Sequence, residues 1–272
     1  MSAPVPVHVQ TMVIGTLFYG IAVGTSFYGI FSGISRLNPK NQFVMGTIIF
    51  CNVMLILEVG GYLWQSLGRG NGACVYGNYT QNISYHLCMI AFNVFILYKA
   101  CVITLKNKWV VLAAGVCLLT RVVFGLGDMA TSHGYIDTPT GECLWSFSST
   151  ILFGYMGADV FADLFGTVVT ISSVWVFKET SFSKVLMAEN VTRSAVSLLQ
   201  AVVYVWASQT DTVFMFANGV QMCIISYLLN SEFWWADTRH AAFNETRNNA
   251  LEEGKEKSFV ELKEVNRNNR SF

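Results

Sequence analysis

The chain has 272 residues, of which 53% are hydrophobic and only 12% charged, and its 17 basic and 17 acidic residues leave no net charge. Soluble domains carry about 25% charged residues, so this low share and a mean hydropathy of +0.45 indicate a membrane protein. The composition excludes a disordered chain, a nucleic-acid-binding protein with a basic surface and an ordinary soluble enzyme.

Seven apolar stretches are long enough to cross a membrane, for which a helix needs about 20 mainly apolar residues. In chain order they are roughly Thr11–Ile34, Phe43–Leu67, Ser84–Leu105, Trp109–Leu126, Ser148–Phe177, Ser194–Ser208 and Thr212–Phe233. The sixth is the weakest, since its apolar part is short, and it forms a tight hairpin with the seventh. The sequence therefore predicts an all-α, seven-helix transmembrane bundle over residues 1–233 and a cytoplasmic tail, without fixed structure, over residues 234–272.

Positive charge is concentrated on one side of this topology. The loops after the first, third and fifth helices, with the adjoining helix ends, hold Arg36, Lys40, Lys99, Lys106, Lys108, Lys178, Lys184 and Arg193. The opposite loops hold only Arg69. Because cytoplasmic loops carry an excess of Lys and Arg, the N-terminus is predicted outside and the tail inside. No cleavable signal peptide is evident, and we expect an integral protein of the plasma membrane or another membrane of the secretory pathway.

The cysteines and glycosylation sequons test this topology. Five of the seven cysteines fall within the predicted helices, whereas Cys74 and Cys143 fall in outer loops, where oxidising conditions allow a disulfide bond. We therefore predict a Cys74–Cys143 disulfide. The sequons at Asn78 and Asn82 also lie outside, and Asn78 is the predicted glycosylation site because Asn82 lies too near the membrane.

The first helix contains a tandem repeat, Thr16–Gly24 followed by Thr25–Gly33. Nine residues turn a helix by about half a revolution. Gly20 and Gly24 therefore share one face, and Gly29 and Gly33 share the opposite one. Small residues four positions apart let helices approach closely in lipid. The repeat predicts either tight packing within one bundle or a homo-oligomer formed through the first helix.

Ionisable residues inside membrane spans are costly and so mark candidate functional sites. Glu58, Arg121, Asp159 and Asp163 are of this kind. The helical period puts Asp163 and Tyr155 on the face of Asp159. It also puts Asp128 on the face of Arg121, and His86 lies at a similar depth in the third helix.

Two interpretations of these residues remain open. In one, they line a net acidic pocket in the outer half of the membrane, in which Arg121 pairs with one or more carboxylates. Such a pocket could hold a small polar or cationic ligand or pass protons. In the other, they form a buried ion-pair network that fixes the helices and binds nothing.

The tail and the missing motifs narrow the function classes. The seventh helix has no lysine for a retinal Schiff base, and the common hydrolase, nucleotide and zinc motifs are absent. We expect no enzyme activity, no cofactor and no metal site. In the tail, Phe259, Leu262 and Val265 could line a short helix for a cytoplasmic partner, although a solubilising tail without structure is the alternative.

Several short motifs, placed on these spans, carry a family resemblance. They are Ile14-Gly-Thr-Leu-Phe18, Asn38-Pro-Lys40, Glu58 in the second helix, Gly157-Ala-Asp-Val-Phe-Ala-Asp163, Lys178-Glu-Thr-Ser-Phe182 and Asn190-Val-Thr-Arg193. Together they resemble an orphan seven-helix family of fungi over essentially the whole chain, although Ser181 stands where glycine would be expected. The resemblance implies a fungal membrane protein without an established activity, and it singles out Asp159 as a candidate common feature.

The leading expectation is a non-enzymatic, receptor-like protein that binds a small ligand in the outer half of the membrane and signals through its cytoplasmic loops and tail. A proton or cation channel or transporter that uses Glu58, Asp159 and Asp163, with Arg121 as its gate, is the first alternative. A structural, oligomer-forming membrane protein with the first helix as its contact surface is the second.

Overall fold

The computed structural model describes residues 7–39, 41–68, 70–139, 141, 143–175, 180–207 and 211–252. Seven helices and one short hairpin make up this part of the chain. The elements are α1 (Val7–Ser35), α2 (Gln42–Leu67), α3 (Asn71–Ile103), α4 (Lys108–Thr131), β1 (His133–Ile136), β2 (Cys143–Ser146), α5 (Ser149–Val174), α6 (Ser181–Ala207) and α7 (Asp211–Glu252). The cations Lys40, Arg69 and Lys178 and the tail residues Phe259, Leu262 and Val265 lie outside the described part.

The helices form a bundle around α3. This helix packs against α2, α4 and α5, while α1 and α6 pack against α7 and close the bundle. In the most apolar 18 residues of α3, 67% are buried, against 22% in α4. Polar side chains that must be shielded from lipid are therefore best placed along α3.

Within the described residues, α1 to α5 are long and apolar enough to cross a membrane. Their outward faces carry large apolar side chains such as Phe31, Leu119 and Phe161, each more than 60% exposed. Since such a surface is unfavourable in water, its natural solvent is lipid. This confirms an all-α fold with helices long and apolar enough to cross a membrane, which is consistent with an integral membrane protein.

The hairpin lies at one end of the bundle, which we call the hairpin end. β1 and β2 pair antiparallel, with His133 opposite Ser146 and Ile136 opposite Cys143. The predicted disulfide is confirmed: Cys143 of β2 bonds to Cys74 near the start of α3, with the two Cα atoms 5.6 Å apart. The link holds the hairpin against α3.

Three boundaries differ from the sequence prediction. First, α3 begins at Asn71, so the Asn78 sequon lies in a helix with its residue only 3% exposed, and the prediction that Asn78 is a surface glycosylation site is wrong. Second, α6 begins at Ser181, well before the predicted sixth span. Third, α7 continues to Glu252, so residue 233 is not the end of the bundle.

The helical extension of α7 is packed rather than solvated. Arg239, Phe243 and Thr246 are buried, and the ring of Phe243 meets that of Phe182 on α6 edge-on at 6.0 Å. Residues 234–252 therefore belong to the helical domain and not to an unstructured tail.

The two glycine pairs of α1 do lie on different surfaces. A methyl group at Gly29 would collide with Asn52 of α2 and Asn230 of α7, and one at Gly33 would meet Ile49. Gly20 and Gly24 are exposed, with no atom within 4 Å of an added methyl group. Packing within the bundle thus accounts for the second pair, and an oligomer through the first pair stays a prediction.

We expect Gly29→Ala to destabilise the protein by about 1–3 kcal/mol because the added methyl group overpacks the contact and separates Asn52 from Asn230. The measurement is the midpoint of unfolding by SDS in mixed micelles. Gly20→Ala is the matched control and should not lower the midpoint, since its methyl group meets open space. Equal losses in both variants would contradict this packing.

Candidate functional site

A chain of buried polar side chains crosses the middle of the bundle. Arg121 of α4 donates from Nε to Asp159 Oδ1 of α5 at 2.6 Å and from Nη1 to His86 Nδ1 of α3 at 3.0 Å. Because a guanidinium group only donates, His86 Nδ1 accepts. The proton of a neutral His86 therefore sits on Nε2, which donates to Asp128 Oδ2 at 3.0 Å. We call Arg121, His86, Asp128 and Asp159 the central chain.

The central chain confirms the predicted pairing of Arg121 with a carboxylate and brings five of the predicted residues together. Arg121, His86 and Asp128 are at most 1% exposed in their side chains, and Tyr155 lies with its ring centre 5.2 Å from the Arg121 guanidinium carbon. Asn93, which was not expected in the site, donates to Asp159 Oδ1 at 2.6 Å. The central chain contains one base and two acids, so its formal charge is −1 when His86 is neutral and both carboxylates are ionised.

Asp163 does not belong to the central chain. It accepts from Arg193 Nε at 2.8 Å, and Arg193 Nη2 donates to Thr167 at 3.3 Å. The expectation that Asp163 shares a site with Arg121 is therefore wrong, and Arg193 is a buried ion-pair partner rather than a loop cation. The early start of α6 is the physical reason, because it carries Arg193 into the bundle beside α5.

Glu58 faces a separate cavity at the hairpin end. Gly61 and Gly77 bring α2 and α3 close together there, since a methyl group at Gly61 would lie 2.6 Å from the backbone nitrogen of Gln81. The cavity, which we call the hairpin-end cavity, is lined by Glu58, Asn78, Gln81, Asn82, Tyr85, Trp145, Tyr155, Tyr204 and Asn218. Its volume of about 20 Å³ is enough for a water molecule or a group of similar size.

Several polar groups of this cavity have neither a salt bridge nor a hydrogen bond within the described part of the protein. Glu58 is 1% exposed and forms no salt bridge with any residue that the structure describes. Its Oε2 atom, Asn78 Oδ1 and Asn82 Nδ2 are buried without a hydrogen-bond partner. Because buried polar groups are nearly always satisfied, three unmet groups around one small space make the cavity a candidate binding site for a polar molecule.

A second cavity of about 30 Å³ lies deeper in the bundle, beside Asp159. Its polar lining comes from Asn93, Asp159, Ser197, Gln200 and Gln221. Tyr85 connects the two cavities: it lines the first, and its hydroxyl group accepts a hydrogen bond at 3.2 Å from Gln221, which lines the second. Polar groups thus continue from the hairpin end to the central chain.

The opposite end of the bundle holds a charge cluster that the sequence analysis missed. Lys99 of α3 donates to Glu189 of α6 at 2.5 Å and to Glu232 of α7 at 2.7 Å, and Arg239 of α7 bonds to both carboxylates. All four side chains are at most 7% exposed. The sequence places Lys99 among the loop cations and Arg239 in the tail, and both placements are wrong because the two side chains are buried together in the bundle. The spacing of seven between Glu232 and Arg239, which puts them on one helical face, was the signal available.

We expect Arg121→Gln to destabilise the protein by about 3–5 kcal/mol, because it leaves Asp159 as an uncompensated buried charge. Adding Asp159→Asn should recover most of this loss, since the double variant buries no unpaired charge. The midpoint of unfolding by SDS in mixed micelles measures the stability of the single and the double variant. Arg36→Gln is the control: its pair with Asp237 is exposed, so its cost should stay below about 1 kcal/mol. A double variant no more stable than Arg121→Gln would contradict the pairing.

Comparison with known proteins adds neither a family nor a relative to this geometry. The resemblance to the fungal seven-helix family stays a prediction. No protein-family model and no curated protein matches this chain.

Proposed function

We propose that this chain is a non-enzymatic, receptor-like, seven-helix integral membrane protein that binds a small polar or cationic ligand in the hairpin-end cavity. One observation carries the proposal: a buried polar cavity, with the unpaired carboxylate of Glu58 in its wall, lies beneath a hairpin that a disulfide fixes to α3. Trp145 of that hairpin lines the cavity, so the hairpin is part of the site.

The seven-span topology has support from the packing of α6 and α7. Both carry charged residues that lower their apolarity, yet Glu189, Arg193, Glu232 and Arg239 are paired inside the bundle and do not face lipid. α7 packs extensively on α1, and α6 packs on α5, so both run beside helices that are apolar enough to span. The proposed topology therefore has seven spans.

The proposed orientation keeps the N-terminus and the hairpin outside. Lys99 and Arg193 no longer count as loop cations, but in the sequence the loops after the first, third and fifth helices, with the adjoining helix ends, still hold Arg36, Lys40, Lys106, Lys108, Lys178 and Lys184. The single cation of the hairpin-end loops is Arg69, so the cation bias still favours a cytoplasmic location for the opposite end. A disulfide at the hairpin end fits an oxidising outer compartment.

A ligand in the cavity would have a physical route to the opposite end. Tyr155 lines the cavity and lies against Arg121, and α3 carries both His86 of the central chain and Lys99 of the four-residue cluster. A shift of α3 relative to α6 and α7 would strain the bonds of Lys99 to Glu189 and Glu232. The bundle can therefore transmit binding as helix movement to a cytoplasmic partner.

We expect purified full-length protein in nanodiscs to be stabilised against heat by at least one member of a panel of ethanolamine, glycine, glucose and phosphate, and the effect to saturate. Each of these would place only one of its groups in the cavity of about 20 Å³. Asn82→Phe, whose ring fills the cavity, should abolish this stabilisation for a ligand of any charge. Leu119→Phe on the outer face of α4 adds the same ring in lipid and is the control. Saturable binding that survives Asn82→Phe would place the ligand elsewhere, and no stabilisation by any member would count against the receptor proposal.

A proton or cation pathway is the second candidate, and the deeper cavity favours it. Buried atoms without a partner belong to residues that line both cavities: Glu58 Oε2 in the first, and Gln221 Oε1, Asn93 Oδ1 and Asp159 Oδ2 in the second. Water molecules bridging such atoms would form a route for protons past Tyr85.

If this pathway operates, liposomes that contain the protein should dissipate an imposed pH gradient faster than empty liposomes. Tyr85→Phe should slow the dissipation because it removes the hydroxyl group between the cavities. Tyr62→Phe is the control, since Tyr62 is buried but lines neither cavity. An internal pH-sensitive dye gives the rate, and a rate equal to that of empty liposomes would exclude the pathway.

A further inference from the structure

Glu58 is the exception among the buried carboxylates of the bundle. Asp159 and Asp163 each pair with an arginine, Glu189 and Glu232 share Lys99 and Arg239, and Asp128 accepts from His86 and Ser132. Glu58 has no such ion pair within the described residues, although it is as buried as they are. An ionised carboxylate in this position is strongly unfavourable until a cation reaches it.

The groups around Glu58 favour an organic cation over an anion. Four aromatic residues line the cavity: Tyr85, Tyr155, Tyr204 and Trp145. Aromatic rings attract ammonium groups through their negative faces, and a carboxylate adds full charge. Among the described residues no Lys or Arg lines the cavity, and Arg121, which lies against the ring of Tyr155, is already bonded to Asp159 and His86.

Two of the three unmet polar groups of the cavity fit the same ligand, while the third, Asn82 Nδ2, is a donor that an ammonium ion leaves unmet. Asn78 Oδ1 is a buried acceptor without a donor, as is Glu58 Oε2. A protonated amine has N–H groups to give to both, whereas an alkali metal ion prefers a fuller shell of oxygen atoms than one carboxylate and a few amides provide. The half-buried residues Gln81 and Trp145 mark where the cavity reaches the surface.

We propose that the hairpin-end cavity is a binding site for a small organic ammonium ion, with Glu58 as its counter-ion and the tyrosine and tryptophan rings as its walls. The inference rests on the proposed ligand-binding function and names the chemical class of the ligand. The volume of about 20 Å³ limits the group that enters fully to one about the size of methylammonium. A larger ligand would place only its ammonium group there.

Methylammonium chloride is the probe that tests this site. We expect it to raise the melting temperature of the full-length protein in nanodiscs in a saturable manner, while potassium chloride at the same ionic strength does not. Glu58→Gln keeps the shape of the side chain and removes the charge, so the protein should stay folded and the apparent affinity for methylammonium should fall by at least about tenfold. Asp237→Asn is the matched control, because it removes an exposed carboxylate far from the cavity and should leave the affinity unchanged.

Three results would overturn the inference. Equal stabilisation by potassium and methylammonium would show a salt effect or a simple cation site, and equal affinity in Glu58→Gln would show that the carboxylate does not recognise the cation. If Glu58→Gln does not fold, Glu58→Asp replaces it, and unchanged affinity there would have the same meaning. The third result separates this inference from the proposed function: if glucose, glycine or phosphate binds and Asn82→Phe abolishes the binding while methylammonium has no effect, the cavity binds a ligand of another class.

Discussion

The bundle depends on matching its internal charges locally, with Glu58 as the exception, because neither lipid nor a dry protein interior solvates an ion. The Arg121–Asp159 pair shows the constraint most clearly: Arg121 has no exposed side-chain surface, so its charge must be met by groups on neighbouring helices. Removing one residue of such a pair destabilises the protein more than replacing both residues with apolar ones. The ion pairs therefore do more than add stability, since they fix which faces of α3, α4 and α5 can meet.

The other polar contacts follow the same rule at each level of the bundle. Near the opposite end, two acids and two bases from α3, α6 and α7 neutralise one another. Between α1, α2 and α7, neutral amides serve instead: Asn230 exchanges hydrogen bonds with Asn52 and donates to the backbone of Thr25. Each helix that carries a polar residue into the interior thus has a specific neighbour, and this specificity sets the helix order in a medium where apolar surface alone cannot.

Sequence reasoning succeeded where the signal was local or the partners were few. Runs of apolar residues located α1 to α5, and the elimination of five cysteines within the predicted spans left Cys74 and Cys143 as the disulfide. The placement of Cys74 in a loop was wrong, since it lies in the first turn of α3. The pairing of Arg121 followed because it is the one base in the middle of the predicted spans.

Sequence reasoning failed where a charged residue is buried against a partner that is distant in the sequence. Lys99 looks like a loop cation until Glu189, 90 positions away, is known to lie beside it. Asn78 looks like a surface sequon because nothing local shows that α3 extends past it.

The distribution of charge along the bundle axis links the fold to its function. The Asp163–Arg193 pair and the four-residue cluster are each neutral, whereas the central chain carries −1 and an ionised Glu58 would add another −1 nearer the hairpin. The interior is therefore electrically neutral toward the opposite end and negatively charged toward the hairpin end. Such a gradient favours cations that approach from the hairpin side, and among the described residues it offers them no unpaired acid beyond the central chain. Arg121 reinforces this asymmetry, since its positive charge lies against Tyr155 of the first cavity and beside Asp159 of the second, where it disfavours a cation that would pass inward. The charge pattern is that of a site that holds a cation at one end of the bundle, and it argues against free cation conduction more strongly than against proton movement along neutral groups.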